Sequence, residues 1–275
     1  MSDHKLLKIL LCTAIAWLIS QDARATDLDD KIADAADVIN TFHAIPERGI
    51  PTALLERAYA IAVIPDMIKA GFVVAGRHGR GLISVRTDTG WSSPAFIKLT
   101  GGSVGWQAGV QAADLVLVFT NQRGVENLSR GKFTLGADAA VAAGPLGRNT
   151  SAATDHKLKA EVYSYSRARG LFAGVSIQGA SLRIDNDANA TFYVAPDISA
   201  DDIFEGKVKI TPESVVPFRQ SLAAALAVNK IQTGVVGTDS SIPAEPTQSA
   251  EKESEPATTF ALGERSANEQ ESDQD

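Results

Sequence analysis

Cysteine, histidine and aromatic residues are scarce in this 275-residue chain. It contains one cysteine, Cys12, and four histidines, and aromatic residues make up 6% of it. A disulfide framework needs paired cysteines, and protein metal sites usually gather several histidines or cysteines at fixed spacing. No H-E-x-x-H, paired-cysteine or G-x-x-x-x-G-K-[ST] motif is present. The sequence therefore predicts neither a metal nor a cofactor, and it offers no catalytic residues.

Excess charge is confined to the C-terminal end. The net charge is −7, and residues 238–275 contain ten acidic and two basic residues. Residues 26–237 are therefore close to neutral and lack the one-sided basic footprint of nucleic-acid-binding proteins. The abundance of Pro, Ser, Thr and Glu with few apolar residues predicts a disordered acidic tail over residues 238–275. Such a tail can be solubilising, or it can be a site for a basic partner.

The first 25 residues have the pattern of a signal peptide. Lys5 and Lys8 precede an apolar run, residues 9–19, and Ala23-Arg24-Ala25 supplies the small-x-small cleavage pattern. We expect cleavage near Ala25 and a mature chain that is exported to the periplasm or the extracellular space. The run is shorter than the roughly 20 residues of a membrane span. Retention as an anchor is the alternative.

Apolar spacing predicts helices at both ends of the globular part and strands between them. Leu28, Ile32, Ala35, Ile39 and Phe42 recur at intervals of three and four. The other predicted helices are Thr52–Ala58, Val125–Ser129, Asp201–Phe204 capped by Ser199, and one that begins at Thr211 or Ser214 and buries Val215, Phe218, Leu222 and Leu226. The predicted strands are Ala60–Ile64, Gly71–Ala75, Leu82–Arg86, Ala95–Leu99, Leu115–Thr120, Lys132–Ala137, Val162–Ala168 and Leu171–Ile184.

The strand pattern indicates the fold class. The run 115–119 is apolar on both faces, which is typical of a central strand that is covered on both sides. Closely spaced strands without long helices between them favour antiparallel pairing. The expected fold is α+β: a curved, mainly antiparallel β-sheet or barrel-like sheet with flanking N- and C-terminal helices. Residues 26–237 would form this domain.

Glycine-rich segments give the sequence a specific resemblance. The segments that carry it are Leu55–Ala58, Ala60–Pro65, Ala70–Gly76, Trp91–Ala95, Gly101–Gly109, Arg130–Arg148 and Ala160–Ser176. In this order they resemble the SYLF domain, also called the Ysc84-type actin-binding domain, over roughly residues 50–205. The resemblance implies a lipid-binding module rather than an enzyme. Eukaryotic relatives bind phosphoinositide-rich membranes, some bind actin, and exported bacterial relatives are described as lipid-binding.

Basic and aromatic residues near the glycine-rich segments are the candidate lipid-binding residues. They are Lys132, Arg148, Arg167, Arg169, Tyr163 and Tyr165. Cations would anchor an anionic head group, while aromatic rings favour the membrane interface. Strand alternation places Tyr163, Tyr165 and Arg167 on one face.

Three functions can be weighed from the sequence. The first is non-catalytic binding of an anionic phospholipid or membrane surface at the cell envelope. The second is a structural or protein-interaction role with an envelope protein as partner, and an exported chain makes actin a less suitable partner. The third is enzymatic action on lipids, for which Ser103, Ser176 and His156 provide no spacing of nucleophile and base. The sequence favours the first. It leaves open which lipid binds, whether a deep cavity exists and the oligomeric state.

Overall fold

The computed structural model describes most of the chain between the two predicted terminal segments. The described residues are 26–44, 49–71, 74–104, 109–144, 160–168, 171–173 and 177–233. The signal predicted for residues 1–25 and the tail predicted for residues 238–275 lie outside the described residues.

Helices flank the strand region in sequence, as predicted, and one further helix lies between two strands. They comprise residues 26–44 (α1), Thr52–Glu56 (α2), Gln122–Ser129 (α3), Asn186–Phe192 (α4), Ala200–Phe204 (α5) and Val215–Thr233 (α6). The apolar stripe predicted for α1 is buried, and so are Val215, Phe218 and Leu222 of α6. Ser199 caps α5 through a reciprocal capping box with Asp202. Local side-chain patterns therefore set these helix positions.

The strands form one mixed sheet. They are Ala60–Gly71 (β1), Val74–Thr87 (β2), Gly90–Trp91 (β3), Ala95–Val104 (β4), Gly109–Phe119 (β5), Lys132–Thr134 (β6), Val141–Ala143 (β7), Val162–Ala168 (β8), Leu171–Ala173 (β9) and Ser181–Ile184 (β10). The order is β6-β10-β4-β2-β1-β5-β8-β7, with β3 beside β2 and β9 beside β8. Of the strand pairs described, β7–β8 is parallel and the others are antiparallel. The expected α+β class is confirmed.

The sheet curls until its two halves meet. Phe119 of β5 and Phe133 of β6 have ring centroids 5.9 Å apart, although four strands separate them in the sheet order. Helix α3 packs against β5, β6 and β10 and lies across this closure. We call the side of the sheet that carries Phe119 and Phe133 the inner face and the opposite side the outer face.

Helices cover part of the outer face. A small cavity of about 20 Å³ is lined by Phe42 of α1, Leu55 of α2, Ile61 of β1 and Leu222 of α6, so these elements pack together there. Phe192 of α4 makes an edge contact with Phe96 of β4 at 5.1 Å between ring centroids. Residues 115–119 of β5 are fully buried on both faces of the sheet, so the prediction of a central, doubly covered strand is confirmed.

Strand β1 is longer than predicted, and a second predicted strand falls across two elements. The pattern predicts Ala60–Ile64, but β1 runs from Ala60 to Gly71 through a register shift. The predicted strand Gly71–Ala75 covers the end of β1 and the start of β2. Pro65 lies within that shift and Asp66 has a φ of 48°. Proline lacks the amide proton that a central strand uses, so it is accommodated where a bulge interrupts the pairing. The proline therefore bends β1 instead of ending it.

The segment 171–193 differs most from the predicted elements. The sequence pattern predicts one strand over Leu171–Ile184. In the structure, β9 ends at Ala173 and β10 begins at Ser181, with a turn at residues 178–179. Helix α4 follows at once and had no counterpart among the expected helices. It is short, and its stability derives from tertiary contacts: Asn189 is fully buried and hydrogen-bonds to both backbone groups of Phe96.

Candidate functional site

The long strands extend past the helical layer and leave part of the outer face exposed. Strands β1 and β2 contain 12 and 14 residues, more than the usual three to ten. We call this uncovered region the distal face. Its described residues form three cross-strand rows. The first contains Arg80, Lys98 and Arg183, the second contains His78, Thr100, Thr134, Ile68, Ala112 and the buried Ser181, and the third contains Ala70, Val110, Gly76 and Gly102.

The first row is basic. Arg80 of β2 pairs in register with Lys98 of β4, Lys98 with Arg183 of β10, and Arg183 with Lys132 of β6. Directly paired residues lie on the same face with neighbouring side chains. The backbone pairing thus aligns four basic residues across four strands, and we call this set the basic row. Only Lys132 among them was a sequence candidate.

A buried carboxylate holds two members of the basic row. Asp185 is 3% exposed, lies 2.7 Å from Lys98 Nζ and 3.7 Å from Arg80 Nη2, and caps α4 by accepting from the Ala188 amide. Asp27 of α1 lies 3.9 Å from the Arg80 guanidinium. Arg183 is exposed and has no ion pair among the residues that the structure describes. Among the members of the basic row whose side chains are described, Arg183 is therefore the one whose charge is left for a ligand.

The second row contains hydroxyl groups at one end. Thr134, Ser181, Thr100 and His78 are aligned by direct pairing, and we call Thr134, Ser181 and Thr100 the hydroxyl row. Thr100 and His78 are exposed, whereas Ser181 is buried. Hydroxyl groups can donate to an anionic oxygen beside a cation.

Solvent-exposed apolar side chains occupy the other end of the distal face. Ile68 pairs with Ala112, and Ala70 pairs with Val110, across β1 and β5. Ile68 is 49% exposed and Val110 is 70% exposed. We call these four residues the apolar corner. Single exposed apolar residues are ordinary, but adjacent ones that border a cationic row are typical of a surface that meets another apolar phase.

The sequence candidates are only partly brought together. Lys132 pairs with Arg183 through its backbone, and its side chain lies outside the described atoms. Arg148 and Arg169 lie outside the described residues. Arg167 is on β8, opposite Asp114, and its guanidinium lies 3.2 Å from that carboxylate. Arg167 continues the outer face beyond β5, so Lys132 and Arg167 belong to opposite ends of this face.

The two candidate tyrosines lie inside the protein. Tyr163 and Tyr165 are 1% and 2% exposed, and they pack on the outer face beside Val118 and Val116. The Tyr163 hydroxyl accepts a hydrogen bond from the Ala160 amide, while the Tyr165 hydroxyl has no partner in the described protein. A Cβ at Gly144 would overlap the Tyr165 ring, so glycine at 144 makes room for it. Their role in lipid binding remains a prediction.

Burial of two tyrosines, Tyr165 and Tyr193, predicts how the stability of the protein depends on pH. Burial raises the pKa of Tyr165 and of Tyr193 well above the ordinary value of 10, and the Tyr193 hydroxyl donates to the Pro94 carbonyl at 2.6 Å. Below pH 10 both stay protonated in either state. Above it the unfolded chain loses its protons first, so stability should fall by about 1.4 kcal/mol per pH unit for each tyrosine.

The two hydroxyls should respond differently to removal. At pH 7, Tyr193→Phe should lower the free energy of unfolding by about 1 kcal/mol because it loses a hydrogen bond, whereas Tyr165→Phe should leave it unchanged or raise it. At pH 11 both variants should lose less stability than the parent chain. Urea unfolding at the two pH values measures this. Equal losses for both variants at pH 7 would contradict the assignment of an unpaired Tyr165 hydroxyl.

A polar cleft lies away from the distal face, between α3 and α5. It has a volume of about 320 Å³ and is lined by Tyr59, Val85, Gln122, Val125, Glu126, Arg130, Asp201, Phe204 and Glu205. Burial, with Glu126 and Asp201 nearby, raises the pKa of Tyr59. Three carboxylates face one guanidinium here, so the cleft suits a cationic group rather than an anionic lipid.

The described part of the chain contains no metal-binding cluster, and a sequence that resembles a nucleophile elbow lies in a strand. It contains no cluster of three or more His, Cys, Asp or Glu side chains placed to hold a metal ion. Residues 101–105 read Gly-Gly-Ser-Val-Gly, the residue order of a nucleophile elbow. That motif needs a sharp strand-to-helix turn, and Ser103 instead lies inside β4, which continues to Val104. Within the same described part, no helix is long and apolar enough to cross a bilayer.

Comparison with known proteins identifies the family. The family described as "Ysc84: Las17-binding protein actin regulator" matches residues 100–225. "SH3 domain-containing YSC84-like protein 1" of Xenopus laevis is 35% identical over 190 residues, which is 66% of this chain and 56% of the relative. The human protein of the same name is 36% identical over 188 residues, 66% of this chain and 54% of the relative. "Protein YSC84" of Saccharomyces cerevisiae is 38% identical over 167 residues, 59% of this chain and 35% of the relative.

This chain belongs to the Ysc84 (SYLF) family. The resemblance found in the glycine-rich segments is therefore confirmed. The chain spans about half the length of the vertebrate relatives and about a third of the yeast one. The relatives are named as SH3-containing or Las17-binding proteins and not as enzymes.

Proposed function

We propose that the chain is an exported, non-catalytic lipid-binding protein that binds anionic or amphipathic lipid at the cell envelope through its distal face. One observation carries the proposal: the basic row and the apolar corner lie on the same uncovered sheet face, and the row that contains Ile68 and Ala112 directly adjoins the basic row. A membrane surface offers both matching partners, anionic head groups outside and hydrocarbon beneath.

The energies of the two contacts are additive and modest. A basic side chain near an anionic leaflet contributes about 1 kcal/mol, and apolar burial contributes about 25 cal/mol per Å². Lys98 and Arg80 are partly neutralised by Asp185, so Arg183 and Lys132 would supply most of the electrostatic attraction. Binding by such a surface is reversible and salt-dependent. The pattern at residues 1–25 supports the proposal that this occurs outside the cytoplasm.

Vesicle flotation tests the proposal. The protein should float with vesicles that contain phosphatidylglycerol, less so with pure phosphatidylcholine, and less so at high salt. Changing both Ile68→Asn and Val110→Asn should weaken binding about tenfold, because two half-buried aliphatic contacts are worth roughly 1.4 kcal/mol together. Both positions are exposed, so the melting temperature should stay unchanged.

Val194→Asn is the matched control. Val194 is 77% exposed, follows α4 away from the distal face, and has a φ of 51° that asparagine tolerates. It should bind vesicles like the parent chain. The combined Arg148→Ala, Arg167→Ala, Arg169→Ala variant tests the cations predicted from the sequence separately. If no vesicle composition retains the parent protein, the lipid-binding proposal fails.

The polar cleft favours a second candidate function, a protein-interaction role. Glu126, Asp201 and Glu205 face Arg130, and Tyr59 and Phe204 supply aromatic walls. This combination suits a lysine or arginine side chain of a partner. Calorimetry with a lysine-rich peptide, and sedimentation with actin filaments because the family description names an actin regulator, test this role. If the chain binds the peptide or actin but binds no vesicle of any composition, the protein-interaction role replaces the lipid proposal.

A further inference from the structure

A carboxylate is buried beside the basic row of the distal face. Asp185 directly follows β10, and its side chain is 3% exposed. Its Oδ1 accepts from Lys98 Nζ at 2.7 Å and from the Ala188 amide at 3.3 Å, and its Oδ2 lies 3.7 Å from Arg80 Nη2. The Asp185 amide donates to the Phe96 carbonyl at 2.8 Å. Asp185 is therefore fixed through both its backbone and its side chain.

This ion pair ties the lysine to the carboxylate. The Lys98 side chain is 33% exposed, so it contacts both water and the buried Asp185. A buried charge that loses its partner is destabilised by more than a cation gains beside an anionic leaflet. Lys98 therefore stays with Asp185 when the face approaches a membrane. Arg80 is held less firmly, because its side chain is 49% exposed and lies 3.7 Å from Asp185 and 3.9 Å from Asp27.

Arg183 is the contrasting member of the basic row. It pairs in register with Lys98, so the two side chains leave neighbouring strands on the same face. Arg183 is exposed, and no ion pair engages it among the residues that the structure describes. These adjacent cations differ in one respect: a carboxylate holds Lys98, whereas Arg183 is open to solvent.

We propose that Asp185 sets the charge selectivity of the distal face, a proposal that rests on the lipid-binding function above. By retaining Lys98, and in part Arg80, Asp185 withholds cations that would otherwise strengthen binding to anionic membranes. The face then meets an anionic leaflet with fewer available charges than the basic row contains. Removal of the carboxylate charge should therefore increase the affinity for anionic membranes, whereas removal of a residue that contacts the membrane would decrease it.

The variant Asp185→Asn tests the proposal. Asparagine caps helices as well as aspartate does, so it can still accept from the Ala188 amide, but it no longer neutralises Lys98. Vesicles of phosphatidylglycerol mixed with phosphatidylcholine should bind this variant about fivefold more tightly than the parent chain, which is the contribution of about one further cation. Vesicles of phosphatidylcholine alone should bind the two chains equally.

Asp187→Asn is the matched control. Asp187 lies in the first turn of the same helix and is exposed, and its replacement makes the same change in net charge. It is not part of the ion pairs with Lys98 and Arg80. Because solvent and salt screen an exposed charge, this variant should change the affinity for the anionic vesicles by less than about twofold.

Lys98→Gln and Arg183→Gln provide a second measurement that leaves Asp185 in place. Arg183→Gln should weaken binding to the anionic vesicles about fivefold. Lys98→Gln should weaken it by less than about twofold, because the retained ammonium does not reach the head groups. In the Asp185→Asn background, Lys98→Gln should instead cancel the gain. A melting curve of each variant verifies that it is folded at the assay temperature.

The possible results separate this proposal from the lipid-binding function. Equal gains for Asp185→Asn and Asp187→Asn would show that only net charge matters and would overturn the role of Asp185. Weaker binding by folded Asp185→Asn, or equal losses for Lys98→Gln and Arg183→Gln, would overturn it as well. Each of these results leaves the lipid-binding function standing. Absence of vesicle binding by both the parent chain and Asp185→Asn would overturn both proposals.

Discussion

Gly81→Ala is expected to lower the free energy of unfolding by about 3 kcal/mol or more. Gly81 of β2 faces the bulge of β1, and an added Cβ would overlap the Val63 carbonyl oxygen and lie 2.8 Å from the Ile64 Cα. Backbone atoms in the middle of a sheet cannot move aside as a flexible side chain can. The β1–β2 pairing would have to open at the point where the long hairpin begins to extend past the helices.

Gly76→Ala provides the matched control. Gly76 lies five residues earlier in the same strand, and no atom comes within 4 Å of an added Cβ. This variant should be as stable as the parent chain or slightly more stable, because alanine restricts the unfolded chain. Urea unfolding of both variants measures the difference. Equal stability of Gly81→Ala and Gly76→Ala would contradict the close packing of β2 against the bulge.

Asn189→Ala is expected to cost about 2 to 3 kcal/mol. The Asn189 Oδ1 accepts from the Phe96 amide at 2.7 Å, and its Nδ2 donates to the Phe96 carbonyl at 3.4 Å. The side chain therefore continues the hydrogen bonding of β4 where β10 has ended at Ile184. Truncation would leave the buried amide of Phe96 without a partner, and its desolvation would be uncompensated.

Asn186→Ala is the control for this helix. Asn186 is the first residue of α4 and is exposed. Its replacement should change stability by less than about 0.5 kcal/mol. An Asn189→Ala chain as stable as Asn186→Ala would show that Phe96 does not depend on this contact.

Periodicity and capping in the sequence predicted the elements that depend on local pattern. The stripes of α1 and α6, the Ser199 cap and the doubly covered run 115–119 all follow from spacing alone. Helix α4 and the continuity of β1 through Pro65 could not be predicted in this way. Helix α4 is stabilised by a contact with Phe96 of β4. The continuity of β1 depends on the close approach of glycines in β2. Both are tertiary effects that override local propensity.

The composition of the distal face depends on strand register, which the sequence does not reveal. Arg80, Lys98 and Arg183 are far apart in the chain and each belongs to a different strand. Alternation predicts which neighbours share a face, but it does not predict which strands become adjacent. Lys132 was a candidate because of the glycine-rich segment around it, and register then places it beside Arg183. Tyr163 and Tyr165 share the face with Arg167 as alternation predicts, but they lie beneath its covered part.

A polarity-sensitive fluorophore on the apolar corner tests the distal face most directly. It would be attached at Val110→Cys, or at Val194→Cys as the control, with Cys12→Ser if the first 25 residues are retained. On addition of anionic vesicles, we predict emission at shorter wavelength from position 110 and no change from position 194. A shift at position 194 without one at position 110, or no shift at either position, would contradict the proposal that the distal face meets the membrane.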